Sequence, residues 1–482
     1  MGLEGRHWRE ECGVVGLTGC RDAAAVAGLA LHALQHRGQE SAGITVADGH
    51  VLATRKGMGL VEDVFDEATL KSLGGTSAIG HVRYSTTGSS LLVNAQPIQV
   101  TSHRGAVALA HNGNLVNAQT LRRRMEREGS IFSTTSDSEI ILHLIARSQA
   151  AEIEDAIEEA LGQVRGAYSL VVLTRDRLLA TRDPNGFRPL CIGRLGDGWV
   201  VCSESCALDI LGGSYLRDVE PGELVTLAGG GPVSRTLGEP ARETACVFEH
   251  IYFSRPDSRV FGENVDKIRR RCGEILGIES PAQADIVCAV PDSSNTAALG
   301  YARVTGIPFE LGLIRDHYVG RTFISPAQTV RDQSLRIKFN PVKGIIEGKR
   351  VCLVDDSIVR GTTMRKLVKI IRAAGAAEVH LRIASPPITH PCHYGIDTPV
   401  RRELIASSHT VDEIAQYLRV DSLRYLSLEG LLRATGDPDR YCSACFTGQY
   451  LLPFEENVEK EIFDQEAGIR EVVVPPAHRP RS

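Results

Sequence analysis

The densest group of residues suited to phosphate chemistry lies in residues 350–375, RVCLVDDSIVRGTTMRKLVKIIRAAG. An apolar segment leads directly into Asp355 and Asp356, and two carboxylates at a strand end can hold a sugar diol or a Mg²⁺ ion. The next residues offer hydroxyl and backbone N–H groups to a phosphate, at a helix N-terminus that favours negative charge. These candidate ligands are Ser357, Arg360, Gly361, Thr362 and Thr363. The alternative, an acidic N-cap of a Rossmann-type helix, explains one aspartate but not the doublet with SxxRGTT.

This stretch resembles the binding motif of the type I phosphoribosyltransferases. The resemblance implies that Asp355 and Asp356 serve the ribose hydroxyls and one Mg²⁺ ion per subunit, and that residues 357–363 hold the 5-phosphate. A second apolar segment, residues 284–294 (ADIVCAVPDSS), also ends in polar residues just before a helix. By itself PDSS indicates only a helix start. Beside the acidic doublet it becomes a candidate site for pyrophosphate and its Mg²⁺, with Ser293 as the expected ligand.

Residues 315–338 form a long polar stretch between these two segments and carry several basic side chains, including Lys338. One interpretation is a solvated surface loop. Loops of this length without clear secondary structure are uncommon unless they are disordered or functional. We therefore favour a lid that closes over pyrophosphate, and we include Lys338 among the expected substrate-binding residues.

Cys12, in the sequence EECGVVG, is the candidate nucleophile among twelve cysteines. If the residues before it were removed, its thiol would stand beside a free α-amine with a pKa of about 8, able to accept a proton near neutral pH. One residue would then supply both the nucleophile and the base. The local sequence equally allows Cys12 to be a buried strand residue.

Five motifs follow Cys12 along the chain. They are residues 32–43 (HALQHRGQESAG), 80–88 (GHVRYSTTG), 110–117 (AHNGNLVN), 135–139 (TSDSE) and 183–190 (DPNGFRPL). Together they resemble the class II, N-terminal-nucleophile glutamine amidotransferases over most of residues 12–230. The resemblance implies that Cys12 attacks glutamine and that other residues hold the substrate. The implied residues are Arg83 and Thr86 for the carboxylate, Gly113 and Asp137 for the amino group, Asn112 and the Gly113 N–H for the oxyanion hole, and Arg37 for support.

The implied chemistry is acyl transfer. Cys12 releases ammonia from the glutamine amide, and water later hydrolyses the γ-glutamyl thioester. Each oxyanion donor would lower the barrier by roughly 3 kcal/mol. Because a free amine at Cys12 requires removal of what precedes it, we expect cleavage between Glu11 and Cys12, with residues 1–11 as a propeptide.

Near the C-terminus, Cys442 and Cys445 form a C-x-x-C pair, which by itself is compatible with a redox, zinc-binding or incidental role. A zinc ribbon is unsupported because the chain has no second C-x-x-C. Residues 244–258, 385–397 and 441–450 are similar to segments that flank cluster ligands in the phosphoribosylpyrophosphate amidotransferases. The resemblance implies that one [4Fe–4S] cluster, with a structural and oxygen-sensing role, is bound by Cys246, Cys392, Cys442 and Cys445. The cysteines left as packing residues are Cys20, Cys191, Cys202, Cys206, Cys272, Cys288 and Cys352.

Short apolar runs and helical patterns must position these residues. The first half alternates apolar runs with polar turns, which predicts a mostly antiparallel sheet with covering helices. Its clearest strands are 12–18, 106–111, 168–174 and 199–203, and its clearest helices are 23–35 and 138–149. After a glycine-rich edge at 228–240, strands at 284–290, 309–314, 350–354 and 378–384 and helices at 295–304 and 362–374 follow. Strands separated by helices predict a doubly wound parallel sheet with its ligand beyond the C-terminal strand ends.

At 482 residues, the chain is long enough for two large domains. The resemblances imply an N-terminal-nucleophile αββα sandwich, followed by the parallel sheet of a type I phosphoribosyltransferase. The expected boundaries are 1–11 for the propeptide, 12–235 for the glutaminase domain, 236–455 for the phosphoribosyltransferase domain with the cluster-binding segments, and 456–482 for a C-terminal tail. We assign no role to the residues after Gln449.

Composition sets limits on partners and location. The hydrophobic fraction of 43% and the charged fraction of 23% are typical of a soluble globular protein. A formal charge of −5 gives no general attraction to nucleic acid or to anionic membranes. No apolar run is long enough to span a bilayer, and the segment MGLEGRHWREE lacks the apolar core of a secretory signal. We therefore expect a cytoplasmic protein that binds neither nucleic acid nor membrane.

Each half alone leaves the substrate open, but the two in this order resemble the phosphoribosylpyrophosphate amidotransferases over nearly the whole chain. That resemblance implies transfer of ammonia from glutamine to phosphoribosyl pyrophosphate (PRPP), forming phosphoribosylamine for purine synthesis. It also implies a homo-oligomer, often a tetramer, inhibited by purine nucleotides. Two alternatives are an amidotransferase with another acceptor and a non-catalytic regulator that senses nucleotides or redox state with an inherited fold.

Overall fold

The structure is a computed structural model that describes residues 12–84, 90–228, 230–239, 241–316, 339–398 and 400–454. Several expected features lie outside these residues. They are the propeptide 1–11, Thr86, Lys338, nearly all of the expected lid and the tail 456–482. No helix of the described ranges combines the length and the apolar character needed to cross a membrane.

An antiparallel sheet of seven strands forms the first layer of strands. Across the sheet the strands are Ser214–Asp218, Cys191–Leu195, Gly198–Cys202, Gly13–Thr18, Ser77–Arg83, Ser41–Ala47 and Leu52–Met58. Helix Ala23–Ala33 packs on one face of this sheet, where most of its alanines and Leu31 are buried against Val15 and Val82. The smaller helices of this half are Gln35–Arg37, Val61–Val64, Glu67–Ser72, Leu92–Asn94 and Cys206–Leu211.

A second antiparallel sheet, of six strands, packs against the first. Its strands in order are Gly231–Thr236, Glu223–Ala228, Leu178–Arg182, Gly166–Leu173, Gly105–Leu115 and Ile98–Ser102. Val14 and Ile79 of the first sheet meet Val171 and Leu178 of the second in a shared core. The outer face of the second sheet is covered by helices Ala118–Arg127, Ser138–Arg147 and Ile153–Leu161. The layers are therefore helix, sheet, sheet, helix, which confirms the expected αββα sandwich.

The second half is built on four parallel strands. In order these are Ile286–Ala289, Arg350–Asp355, Glu378–Ile383 and Ser422–Tyr425. Residues of one strand alternate between the two faces, so Cys352 packs among helices Val265–Glu279 and Asn295–Thr305. Leu353 packs on the opposite face, against the helix Thr362–Ala373. Helices on both faces confirm the doubly wound sheet.

Shorter elements complete the second half. The helices are Glu249–Phe253, Lys343–Ile346, Arg401–Glu403, Ile405–Ser407, Val411–Leu418, Leu428–Thr435, Pro438–Arg440 and Ala444–Thr447. Three two-stranded pairs join Ala245–Cys246 to Tyr441–Cys442, Arg259–Val260 to Glu263–Asn264, and Leu313–Arg315 to Phe339–Pro341.

One sequence expectation differs from the structure. The expectation of a single strand over 309–314 was wrong. Phe309 makes an isolated parallel bridge to Val287. The segment is then interrupted by a turn in which Gly312 N–H donates to Glu310 O. The glycine-rich stretch 228–240 includes the last strand of the second sheet, which pairs with its neighbour as a hairpin. The domain boundary at 235 stays a prediction.

Candidate active site

Cys12 lies in a small pocket of the first half, directly before strand Gly13–Thr18. That strand pairs Gly13 with Val82, so the end of the neighbouring strand brings Arg83 and Tyr84 beside Cys12. The Cys12 thiol donates to Tyr84 O at 3.3 Å. The residues that line the pocket are Cys12, Arg83, Tyr84, Gln96, His111, Gly113, Ser136 and Asp137. Cys12, Arg83, Gly113 and Asp137, expected from the sequence, are thus brought together.

The protonation state of Cys12 limits how it can react. Burial raises the pKa of its thiol to about 12, although the Arg83 guanidinium acts in the opposite direction. At neutral pH the resting side chain is therefore a thiol, and attack on a carbonyl needs a base that removes its proton. This requirement matches the predicted use of a free α-amine at the same residue.

Asn112 and Gly113 occupy consecutive positions of strand Gly105–Leu115. Gly113 has φ +155°, and a Cβ there would lie 2.0 Å from Ala167 O, so only glycine fits. Asn112 is fully buried, and neither its side-chain nitrogen nor its side-chain oxygen has a hydrogen-bond partner among the described residues. Burying an amide without a hydrogen-bond partner costs free energy of folding. This cost is consistent with a side chain that makes its hydrogen bonds to a bound ligand. Asn112 does not appear among the described residues that line the Cys12 pocket.

Arg37 is buried beside two acids and is not among the described residues that line this pocket. Its guanidinium donates to Cys12 O at 3.0 Å, to Glu204 at 2.6 Å and to Glu249 at 2.7 Å. Burial alone would raise the pKa of Glu204, but His36 and Arg37 hold it at about 2. Glu249 belongs to the second half of the chain, so this network ties the main chain of the nucleophile to that half. These bonds agree with a supporting role for Arg37.

A larger pocket opens at the C-terminal edge of the parallel sheet, where strand Arg350–Asp355 ends. All the described residues that the sequence assigned to phosphate, ribose and Mg²⁺ line it. They are Ser293, Asp355, Asp356, Ser357, Arg360, Gly361, Thr362 and Thr363. The structure therefore brings these residues together, because parallel strands have their carboxyl ends at one edge of the sheet.

The two aspartates of this pocket are surrounded by hydroxyl donors. Ser293 and Ser357 each donate to Asp356 at 2.6 Å, and Ser294 donates to Asp355 at 2.8 Å. Burial, together with the Asp356 charge, raises the pKa of Asp355 well above its usual value. A buried pair of carboxylates with neighbouring hydroxyls is a suitable oxygen ligand set for Mg²⁺, so the residues fit the expected ion.

The loop after the aspartates ends at Gly361, whose φ of +72° lies in the left-handed region and starts helix Thr362–Ala373. The first residues of this helix, Thr362 and Thr363, line the pocket, and a helix N-terminus favours the negative charge of a phosphate. The Arg360 side chain lines the pocket, but its Nε also donates to Glu403 at 2.8 Å.

Tyr252 and Phe339 line the same pocket and were not expected from the sequence. Tyr252 comes from the short helix Glu249–Phe253, and Phe339 from a strand that follows the expected lid. Neither residue belongs to a strand-end motif, which explains why local patterns did not single them out. Ser294 was also missed as a partner of the aspartates, although PDSS contained it.

The four cysteines expected to bind a cluster converge from three distant segments. Cys246 and Cys442 are paired on the parallel strands Ala245–Cys246 and Tyr441–Cys442. The pKa of Cys445 is raised well above its usual value. Burial is the main cause, followed by the charges of Cys442, Cys246 and Cys392. Burial raises the pKa values of Cys246, Cys392 and Cys442, and the nearby Arg188 guanidinium offsets part of that rise. The seven cysteines expected as packing residues are all buried.

The spacing of these sulfurs bears on which group they fit. Within the part of the chain that the structure describes, no three His, Cys, Asp or Glu side chains are close enough to hold one metal ion. A single Zn²⁺ needs four sulfurs at about 2.3 Å from one centre. A four-iron cluster attaches each thiolate to a different iron, so its sulfurs stand farther apart. Four cysteine thiolates are the usual ligand set of a [4Fe–4S] cluster, so the side chains present match the expected group in kind.

Two family models match the chain. Residues 81–209 match the glutamine amidotransferase domain, and residues 264–385 match the phosphoribosyl transferase domain. The amidophosphoribosyltransferase of Bacillus subtilis (strain 168) is 51% identical over 447 residues, which cover 92% of this chain and 94% of the relative. The chain belongs to the amidophosphoribosyltransferase family.

Other members of the amidophosphoribosyltransferase family are similarly close. The Archaeoglobus fulgidus enzyme is 50% identical over 92% of this chain and 99% of its own. A chloroplastic member from Arabidopsis thaliana, amidophosphoribosyltransferase 2, is 53% identical over 94% of this chain and 81% of its own.

Two solved structures share the fold of both halves. One is the allosteric regulatory enzyme of purine biosynthesis, with a TM-score of 0.90 and 49% identity over 94% of this chain and 99% of that chain. The other is the Bacillus subtilis glutamine PRPP amidotransferase complexed with ADP and GMP, with a TM-score of 0.89 and 49% identity over 93% of this chain and 99% of that chain. The expected family, fold and class of enzyme are thus confirmed.

Proposed function

We propose that this amidophosphoribosyltransferase converts glutamine, PRPP and water into 5-phosphoribosylamine, glutamate and pyrophosphate, the step that commits PRPP to purine synthesis. The observation that carries this proposal is the presence of two dissimilar pockets on one chain. One contains the Cys12 thiol and Arg83, and the other contains the Asp355–Asp356 pair with a phosphate loop. A non-catalytic regulator would have no need for a nucleophile held in a pocket of its own.

In the first pocket, Arg83 pairs with the carboxylate of glutamine and Asp137 accepts from its amino group. The Cys12 sulfur attacks the amide carbon, and the oxygen that becomes negative is held by Asn112 and the Gly113 N–H. The unpaired side chain of Asn112 supports this role. Ammonia leaves with a proton delivered from Cys12, and water then cleaves the thioester to give glutamate. Thr86, outside the described residues, would assist Arg83.

The base in this scheme is the α-amine of Cys12 after the bond to Glu11 has been cleaved. The raised pKa of the Cys12 thiol supports this step, because the buried thiol does not ionise by itself near neutral pH. Intact mass or N-terminal sequencing of active enzyme tests the cleavage, and full activity with residues 1–11 still attached would contradict it.

In the second pocket, Asp355 and Asp356 hold the ribose hydroxyls while residues 357–363 hold the 5-phosphate, with Arg360 contributing positive charge and Lys338 completing the site. One Mg²⁺ per subunit, held by Asp355, Asp356 and Ser293, would neutralise charge on the departing pyrophosphate. Ammonia then attacks C1 of the ribose and pyrophosphate leaves. To stay unprotonated on its way, ammonia must travel through an enclosed, largely apolar space between the pockets.

The four cysteines Cys246, Cys392, Cys442 and Cys445 would hold one [4Fe–4S] cluster with a structural and oxygen-sensing role, since the reaction transfers no electron. We further propose that purine nucleotides inhibit the enzyme, that it assembles as a homo-tetramer and that it works in the cytoplasm. ADP and GMP in the Bacillus subtilis structure support nucleotide binding, whereas the Arabidopsis relative is described as chloroplastic. Iron and sulfide analysis of active protein tests the cluster.

A Cys12→Ala variant separates the two half-reactions. We expect it to lose PRPP-dependent consumption of glutamine by a factor of more than about 10⁴, and to keep synthesis of phosphoribosylamine from added ammonia. Cys20→Ala is the matched control, because Cys20 is also buried but lies outside both pockets. Equal loss of both activities in Cys12→Ala, or glutamine use that survives in it, would refute the proposal.

A further inference from the structure

The chain segment after Gln449, for which the sequence offers no role, makes specific contacts. Residues 450–454, here called the clasp, lie on residues 391–395, here called the cysteine loop because it includes Cys392. The Tyr450 hydroxyl donates to Pro391 O at 2.6 Å. The Phe454 ring stacks on the His393 ring with centroids 3.8 Å apart. Both ends of the clasp therefore contact the cysteine loop.

The middle of the cysteine loop is fixed by Tyr394. Its hydroxyl donates to Leu452 O at 3.2 Å and accepts from Leu452 N–H at 2.9 Å. Its ring stacks on Phe187 of the first half with centroids 4.3 Å apart. Tyr394 and Phe187 are almost completely buried, so the clasp, the loop and the first half form one small apolar core.

The same loop touches the glutamine pocket. The Asn114 side-chain amide donates to His393 O at 3.0 Å. A Cβ built on Gly395 would lie 3.1 Å from Gly113 Cα, so the two glycine backbones are in direct contact. Gly113 lines the Cys12 pocket, so the cysteine loop is in contact with a residue of that pocket.

We propose that the clasp and the cysteine loop are positioning elements of the glutamine site, which hold Gly113 in register with Cys12. The inference rests on the proposed function, because it assigns a catalytic use to the Gly113 N–H. A donor aimed at a developing oxyanion must sit within a few tenths of an ångström of its place. Strand Gly105–Leu115 receives that restraint from the second half of the chain through Asn114 and Gly395. Acylation by glutamine therefore depends on the clasp, whereas the reaction of ammonia with PRPP does not.

Asn114→Ala tests the contact from the side of the first half. We expect kcat for glutamine to fall by about ten-fold or more, with KM for glutamine nearly unchanged and the ammonia-dependent kcat within about two-fold of wild type. Asn117→Ala is the matched control, because the Asn117 side chain also bonds to backbone groups, of Gln163 and Arg165, but to no described residue of the cysteine loop. The rate at which a diazoketone analogue of glutamine labels Cys12, followed by intact mass, should fall only in Asn114→Ala.

Two truncations test the contact from the other side. A chain that ends after Gln449 removes the clasp, and a chain that ends after Phe454 keeps it. We expect the first to lose glutamine-dependent kcat selectively and the second to behave like the full chain, with iron content and melting temperature measured for each. The inference is overturned if the truncations behave alike, if glutamine and ammonia activities fall together, or if Asn114→Ala and Asn117→Ala are equivalent. A wild-type enzyme that consumes no glutamine would instead defeat the proposed function.

Discussion

Burial disfavours the charged forms of the key side chains in both pockets, and each of them needs a partner that offsets this cost. Burial raises the pKa of the Cys12 thiol to about 12, and it raises the pKa values of Asp355 and Asp356 as well. Cys12 needs a base, and the aspartates need a cation. The folded protein alone therefore stores unfavourable electrostatics at the sites where substrates bind, as is common at active sites.

Asp355→Asn should stabilise the protein in the absence of Mg²⁺ and PRPP while it abolishes PRPP-dependent activity. Because the folded-state pKa of Asp355 is raised, the folded state binds its proton more tightly, and stability falls as pH rises from about 4 through the folded pKa. The asparagine has no charge to bury. Thermal melting near neutral pH, with and without Mg²⁺, should show a melting temperature a few degrees higher for the variant without the ion.

Asp285→Asn is the control for that substitution, because the expected sign is opposite. The Arg350 side chain holds the pKa of Asp285 at about 2, so its carboxylate stabilises the fold above its unfolded pKa and loses that effect as pH falls. Asp285→Asn should lower the melting temperature and leave activity intact. A lower melting temperature for Asp355→Asn would contradict the account of the buried pair.

At the scale of single elements, strand ends were the most predictable feature. Asp355 and Ser293 were found because apolar runs stop abruptly at polar residues, and this pattern depends only on neighbours in sequence. Tyr252 and Phe339 were missed because their place in the pocket is decided by long-range packing. The prediction of a single strand over 309–314 was wrong for a related reason. The end of that segment pairs with the antiparallel strand Phe339–Pro341, which is distant in sequence.

Gly361→Ala tests whether the start of helix Thr362–Ala373 forms the phosphate site. The φ of +72° costs a non-glycine residue about 1 kcal/mol or more, and the new Cβ would lie 3.1 Å from Ile405 Cδ1. We expect the loop to shift and KM for PRPP to rise by about ten-fold, as steady-state kinetics would measure.

Gly306→Ala is the matched control for the loop. Gly306 has φ +73° at the end of helix Asn295–Thr305, and a Cβ there would meet no atom within 4 Å. Gly306→Ala should introduce a similar backbone strain and should therefore lower the melting temperature. We expect no change in its KM for PRPP. If KM rises equally in both variants, the effect is one of general stability and the phosphate role of the loop is wrong.

At the scale of the whole molecule, the two halves are linked at several buried points. Arg37 connects Cys12 to Glu249, and Asn114 connects the glutamine pocket to the cysteine loop. Sequence motifs predicted each half, its fold class and several of the residues that line each pocket, because each motif is local. They did not predict these links, since a buried arginine or a backbone contact between two glycines leaves no pattern in the sequence.

The most direct measurement follows the nitrogen itself. The enzyme would be given glutamine labelled with ¹⁵N in its amide, together with PRPP and unlabelled ammonium in the buffer, and the phosphoribosylamine formed would be analysed by mass spectrometry. We expect nearly all of the product to carry ¹⁵N in the wild-type protein, and none in Cys12→Ala. Two results with the wild-type protein would contradict the claim that nitrogen released from glutamine at Cys12 reaches the sugar. One is glutamine hydrolysis without a labelled amine, and the other is product that carries mainly unlabelled nitrogen.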